Sequence, residues 1–272
     1  MRVIDDFMID DHADVKVVRA GNIIEVVYSR ANGGIARYRR LDKDCMVDWE
    51  TGEVIEVKHG DSRADNMRSL RETIKRGRLL INANFVAEEN ELFITLTYRE
   101  NMQDTVRLMK DFEKFWKKLK RRYRETDFRY ITAVEPQERG AWHLHVLVKA
   151  LNQDWLYIPK EIIRDLWGHG EIVDVRRLTG KVDNVGAYVS AYLTNTEWGG
   201  KGSRLHFYPA GINIFRCSRN CVKAEIERCS YGDIKERLGE AAKTFERSYE
   251  VTEGVETVNK VKREYYNLVR KV

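Results

Sequence analysis

Proline is scarce in this sequence, 3 in 272 residues, and no Pro-, Gly- or Ser-rich stretch, repeat or low-complexity run interrupts it. That absence argues against a linker between independent domains. One elaborated domain is the simplest expectation, and two packed lobes come second. No stretch approaches the roughly 18–20 apolar residues of a membrane span. The opening MRVIDDFMIDDHAD is acidic and lacks the apolar run of an export signal, so the expectation is a soluble cytoplasmic protein with no membrane partner. Only four cysteines occur (Cys45, Cys217, Cys221, Cys229). A chain of this size does not need disulfides, so reduced thiols are expected. The spacing Cys217-x3-Cys221-x7-Cys229, with His206, is irregular for zinc. No Gly-x-x-x-x-Gly-Lys-[Ser/Thr] is present, and residues 199–203 (GGKGS) lack its spacing, so no nucleotide cofactor is expected.

Charge is unevenly spread. Net charge is +5, a mild lean toward nucleic acid. Residues 105–124 alone carry nine Lys/Arg against two acids. Within that run Lys114, Lys117, Lys118, Arg121 and Arg122 are candidate phosphate contacts, and Lys181 is another further on. A solvated helix face is the plainer reading of the same run. Arg176, Arg177, Lys201 and Arg204 are lesser candidates. Trp198, beside Gly199 and Gly200, suits either base stacking or core packing.

Hydrophobic periodicity supplies the elements. Residues 1–60 alternate over short runs such as 22–28 (NIIEVVY), punctuated by Gly21, residues 32–34 (NGG), Gly52 and Gly60, and predict a few antiparallel strands. Residues 64–82 predict a helix with Met67, Leu70, Ile74 and Leu79 on one stripe. Residues 91–98 (ELFITLTY) predict a strand. Asn101 is a candidate cap for a helix running to about Tyr123, with Val106, Met109, Phe112, Trp116, Leu119 and Tyr123 inward. Strands follow at 128–135 and 141–149, then a helix begun by Pro159 and ended by Gly168, a strand at 171–177 and a helix at 181–194. The order β-α-β-β-α-β-α is a ferredoxin-like α+β pattern built on an antiparallel sheet flanked by helices. Residues 205–208 and 212–217 read as strands. Residues 233–249 read as a helix with Ile234, Leu238 and Phe245 inward, and 250–267 as a closing hairpin turning at Glu253-Gly254. The expected division is an N-terminal β-rich segment and helix (1–87), a core (88–200) and a C-terminal helix/hairpin extension packed on it (201–272).

The chemistry concentrates in one predicted hairpin. Strand side chains alternate faces, so His143 and His145 share a face about 7 Å apart, at ~3.4 Å per residue. If Glu138-Arg139-Gly140 is a three-residue loop with Gly140 left-handed, Glu135 pairs with His143. Direct cross-strand partners share a face, with Cβ atoms about 4.5–5.5 Å apart. Glu135, His143 and His145 then converge. Two imidazoles and a carboxylate leave coordination positions open, the composition of a catalytic metal site, and suit Mg²⁺ or Mn²⁺ on a phosphate. Two histidines on a solvent-facing sheet are the plainer alternative. Tyr188 and Tyr192, four apart on a predicted helix, share a face. A phenol is a weak nucleophile at its ordinary pKa near ~10 and needs activation. Core packing is the plainer use of such a pair. Gly186 would let the helix backbone approach a neighbour closely.

Three segments together carry a family resemblance: residues 93–98 (FITLTY), His143-Leu144-His145 with Glu135 upstream, and residues 188–194 (YVSAYLT). In that order they resemble the three motifs of the HUH endonucleases, and among those the rolling-circle replication initiators (Rep proteins) of small plasmids and phages. The resemblance covers roughly residues 91–195. It implies an HUH core and a nicking-joining endonuclease: Glu135, His143 and His145 hold the metal, a tyrosine attacks the scissile phosphate, and a 5′-phosphotyrosine forms with a free 3′-hydroxyl. It implies single-stranded or supercoiled origin DNA as substrate, and a host helicase and polymerase as partners. Conjugative relaxases usually place their tyrosine upstream of the metal motif; here the tyrosines lie downstream, which favours the replication branch. Many relatives carry Lys three residues after the tyrosine, where this chain has Ala191; Lys181 is a candidate replacement. Tyr188 aligns with the nucleophile, and Tyr192 is a second nucleophile or a packing residue. The alternatives are an HUH relaxase or transposase serving mobilisation, and a non-catalytic module that only binds single-stranded nucleic acid.

Overall fold

The alternation in the first sixty residues does form short antiparallel strands, and the elements that follow keep the expected βαββαβα order. The computed structural model describes residues 2–31, 38–49, 51–58, 60, 62–194, 207–253 and 256–271. Along the chain run β1 (Arg2–Val3), β2 (Asp14–Ala20), β3 (Ile23–Ser29), β4 (Tyr38–Arg40), β5 (Cys45–Asp48) and β6 (Val54–Glu56). Next come α1 (Met67–Asn84), β7 (Glu91–Leu96), α2 (Thr105–Arg122), β8 (Phe128–Pro136) and β9 (Trp142–Ala150). Then α3 (Lys160–Trp167), β10 (Val173–Arg176), α4 (Val185–Thr194) and β11 (Phe215–Cys217). The last are β12 (Glu225–Ser230), α5 (Tyr231–Leu238), β13 (Ala241–Glu253) and β14 (Glu256–Lys271). The fold is α+β with antiparallel sheets.

The chain forms two units that do not follow the expected division. One unit combines Met1–Gly60 with Glu225–Val272; the other is Asp61–Ala224. Helix α1, expected with the N-terminal segment, belongs with the core strands. Residues 225–271 are no extension of the core: β12 pairs with β2, and β14 with β3. That six-stranded sheet runs β1-β13-β14-β3-β2-β12, and β4-β5-β6 form a small sheet of their own. Val15, Val17, Ile24, Val26 and Tyr266 pack with Ile234 and Leu238 of α5 as the unit's core.

The second unit holds a five-stranded sheet, β10-β7-β9-β8-β11. Its first four strands have the ferredoxin-like arrangement, with β9 inserted between β7 and β8 and every neighbour antiparallel. Period two divides the side chains. Leu144, Val146 and Val148 face one way, and Tyr130, across from Val148, meets Phe112 and Trp116 of α2 on that side. His145, Ala133 and Phe93 face the other way, toward α4, where Phe93 meets both tyrosines. Helix α1 lies on this second side too, because Gly77 sits against the ring of Phe215, whose strand partner is Ala133.

Several local expectations change. Residues 233–249 are not one helix: α5 ends at Gly239, whose φ is +51°, and β13 follows. Phe245 is exposed on that strand instead of turned inward. The hairpin is longer than 250–267, although its strands do end at Glu253 and Glu256, on either side of the expected turn. Asp104, not Asn101, caps α2, accepting from Val106 and Arg107 N–H. In α2 Val106 is exposed, while Leu108 and Phe115 are buried. Pro159 stands just before α3 rather than at its first position. In α1 the buried stripe is Leu70, Ile74, Gly77 and Ile81, with Leu79 only partly covered. Phe207 and Tyr208 are outside any strand, and only Phe215–Cys217 of the 212–217 run is β. His59, Trp198, residues 199–204, His206 and Gly254 lie outside the described residues. The four cysteines are free thiols. Among the described residues, no helix is long and apolar enough to cross a membrane.

Candidate active site

The β8–β9 hairpin has the register its sequence predicts. Gly140 is left-handed at φ +82°, and its N–H donates to Gln137 O at 2.8 Å. Gln137 N–H donates to Ala141 O at 2.8 Å, Pro136 faces Trp142 and Glu135 faces His143. No bulge intervenes, so Glu135, His143 and His145 share one face of the sheet.

Around these three the structure adds partners. His145 is 3% exposed, and its Nε2 lies 2.6 Å from Glu135 Oε2. Its Nδ1 lies 3.1 Å from Thr95 Oγ1, which β7 places directly opposite. His143 Nδ1 lies 2.8 Å from Gln137 Nε2. Each ring is thus oriented by a hydrogen bond at Nδ1, the arrangement that points Nε2 at a ligand. Thr95 and Gln137 were not singled out from the sequence. Gln137 was within reach, since it stands two residues from Glu135 on the same strand line; Thr95 needed the β7–β9 pairing.

As a donor set, one buried carboxylate and two imidazoles on one face suit a divalent cation in type and number. In the present arrangement Glu135 and His145 contact each other, and among the described residues no three His, Cys, Asp or Glu groups are drawn together tightly enough to enclose an ion. Coordination therefore requires the Glu135–His145 contact to open.

Helix α4 carries the tyrosines over this face. Asn184 Oδ1 accepts from Ala187 N–H at 2.9 Å and from Asn82 Nδ2 at 3.0 Å, so α1 grips the cap of α4. Asn82 Oδ1 also accepts from Gly186 N–H at 2.6 Å. A Cβ at Gly186 would stand 2.5 Å from Arg78 O, so only glycine allows this approach. Val185, Val189 and Leu193 point into the core, and Tyr188 and Tyr192 occupy the adjoining stripe. Their hydroxyls are 2.9 Å apart. The Tyr192 ring is 4.7 Å from the His145 ring, and Phe93 stacks on that imidazole at 5.4 Å and 11°. Burial, then the hydrogen bond with Tyr188, pushes the Tyr192 phenol up to about 12. Arg176 Nη1 donates to Tyr188 Oη at 3.4 Å and is itself paired with Asp174. The cation brought to Tyr188 is thus Arg176, at the end of β10, where the sequence had pointed to Lys181. Lys181 is exposed in the turn before α4.

The basic face of α2 is elsewhere. Lys114, Lys117, Lys118, Arg121 and Arg122 are exposed on the helix covering the opposite side of the sheet from the histidines. Lys114 lies 3.6 Å from Asp111, and Lys118 donates to Leu166 O at 3.3 Å. His169, a loop residue, lies 3.6 Å from Asp111 on that same side.

Residues 91–197 match a family model of replication-associated proteins, the ORF2 and gene-2-protein type. The match takes in β7, the β8–β9 hairpin and α4, and covers less than half of the chain. The chain thus carries a replication-associated core, in accord with the resemblance to rolling-circle initiators read from its motifs. No curated protein and no solved structure matches the chain.

Proposed function

We propose that this protein nicks and rejoins one strand of origin DNA to start rolling-circle replication. The observation carrying the proposal is the placing of two hydrogen-bonded tyrosine hydroxyls above a Glu–His face, with Arg176 at the outer one. Glu135, His143 and His145 are the residues that would hold Mg²⁺ or Mn²⁺. A cation bound there supplies charge stabilisation to the scissile phosphate.

The chain's own groups do the rest. Tyr188 Oη attacks phosphorus, the P–O3′ bond breaks, and the 3′ oxygen leaves as a hydroxyl after taking up a proton. The DNA 5′ end stays on Tyr188 as a phosphodiester, and attack by a 3′-hydroxyl reverses the step. Arg176 favours Tyr188 over Tyr192 as nucleophile, because a guanidinium stabilises a developing phenolate and can reach a phosphate oxygen. Tyr192, held neutral by burial, donates or accepts at Tyr188 Oη and orients it. Extending the 3′ end is work for a host polymerase, and unwinding for a host helicase.

The test is a denaturing gel for a covalent protein–DNA adduct, using Mn²⁺ and single-stranded DNA tiled across the protein's own gene neighbourhood. Wild type is expected to form an adduct that EDTA, His145→Ala and Tyr188→Phe each abolish and that Tyr192→Phe only slows. Loss in Tyr192→Phe alone would move the nucleophile. Tight DNA binding with no adduct on any tile would leave a binding module.

A further inference from the structure

Beyond the candidate active site, the segment after β9 presents an aromatic surface that the chemistry above does not use. Residues 155–158 (WLYI) alternate: Leu156 and Ile158 are buried, whereas Trp155 and Tyr157 are 57% and 59% exposed. The two exposed rings lie nearly parallel, with centroids 5.7 Å apart and an interplanar angle of 20°. The Arg177 guanidinium sits 4.7 Å from the Trp155 ring centre. This segment is held in place. Leu156 N–H donates to Glu89 O at 3.1 Å, and Arg177 donates to the carbonyls of Glu89 and Leu156 and to the Glu89 carboxylate. Exposed rings fixed in one orientation are a stacking surface that loses little freedom on binding.

Its position gives it an occupant. Arg177 follows Arg176 at the end of β10, and Arg176 reaches Tyr188. The two neighbouring arginines therefore tie the aromatic pair and the tyrosine site to the same strand end. We propose that Trp155 and Tyr157, with Arg177, form a stacking platform for unpaired bases of the DNA strand entering the site. Planar bases stack on aromatic rings whatever their sequence, and a guanidinium over the ring strengthens the surface. The inference rests on the strand-nicking reading for its substrate, but its test does not use the chemistry.

The experiment is fluorescence anisotropy with the full chain in EDTA, on labelled oligothymidine and on an abasic phosphodiester strand of equal length. Trp155→Leu and Tyr157→Leu are each expected to weaken oligothymidine binding about tenfold. Trp155→Phe should stay near wild type, and an unchanged melting temperature should show that the variants fold. Binding to the abasic strand should be the same in all, and the dependence on salt should not change, since no phosphate contact is removed. Unchanged oligothymidine affinity in the double Leu variant would overturn the platform, as would an equal loss on the abasic strand. An adduct in Mn²⁺ without any such loss sinks the platform and spares the nicking reading. The loss without an adduct from wild type does the reverse.

Discussion

At the scale of single residues, Arg176 is the sharpest test of how Tyr188 is activated. A hydrogen bond from a charged group is worth roughly 1.5–3 kcal/mol. Arg176→Gln should therefore slow adduct formation about ten- to a hundredfold at saturating DNA, with a smaller change in DNA affinity. A pure loss of affinity would show that Arg176 only holds the strand. Thr95 gives a second test, because it orients His145 from β7. Outer-shell partners of this kind typically change metal affinity about 10–100-fold. Thr95→Val is expected to weaken Mn²⁺ binding in calorimetry within that range, and unchanged binding would mean that packing by Phe93 alone holds the ring. The face shared by Glu135, His143 and His145 was legible in the sequence, since it needs only period two and a three-residue loop. Arg176 was legible only as a charge, because its reach to Tyr188 depends on β10 lying beside β7.

At the scale of elements, the contact between α1 and α4 sets where the tyrosines stand. Gly186→Ala forces a methyl against the backbone of Arg78. Overpacking of this kind costs about 1–3 kcal/mol. The urea midpoint should fall, and adduct formation should fall further than the stability loss explains. A variant with wild-type stability would show that α4 can slide without cost. The need for glycine at 186 was readable, but not its partner, because α1 precedes the motifs by sequence and was assigned to another segment. The misread helix at 233–249 has a different cause. Ile234, Leu238 and Phe245 keep helical spacing by coincidence, while Lys243, Phe245, Arg247 and Tyr249 alternate in a strand beyond Gly239. A period judged on three residues did not outweigh that glycine.

At the scale of the whole molecule, the Met1–Gly60 and Glu225–Val272 unit buries phenols beside carboxylates. Burial, then the charge of Glu264, pushes Tyr231 up to about 12. Burial, then Glu25, does the same for Tyr265. The unfolded chain releases these protons near pH ~10 and the folded chain does not. Their contribution to stability is whole below about pH 10 and falls as pH rises toward 12. Melting temperature should drop over that window, and less steeply in Tyr265→Phe. Identical profiles would place the alkaline transition elsewhere. The two-unit organisation was not legible, because nothing in the composition near residue 60 or 225 announces that distant strands pair. The long-range partners β2–β12 and β3–β14 are set by edge pairing that local patterns do not encode.

That pairing also imposes a timetable on synthesis. All of Asp61–Ala224 must leave the ribosome before β2 and β3 can meet their outer partners. At about 5–20 residues per second the delay is on the order of ten to thirty seconds. During it the nascent β2–β3 hairpin has two open edges, each a template for pairing with another chain. Lys16 and Arg19, exposed on β2, put positive charge along one of those edges and keep like chains apart while the hairpin waits.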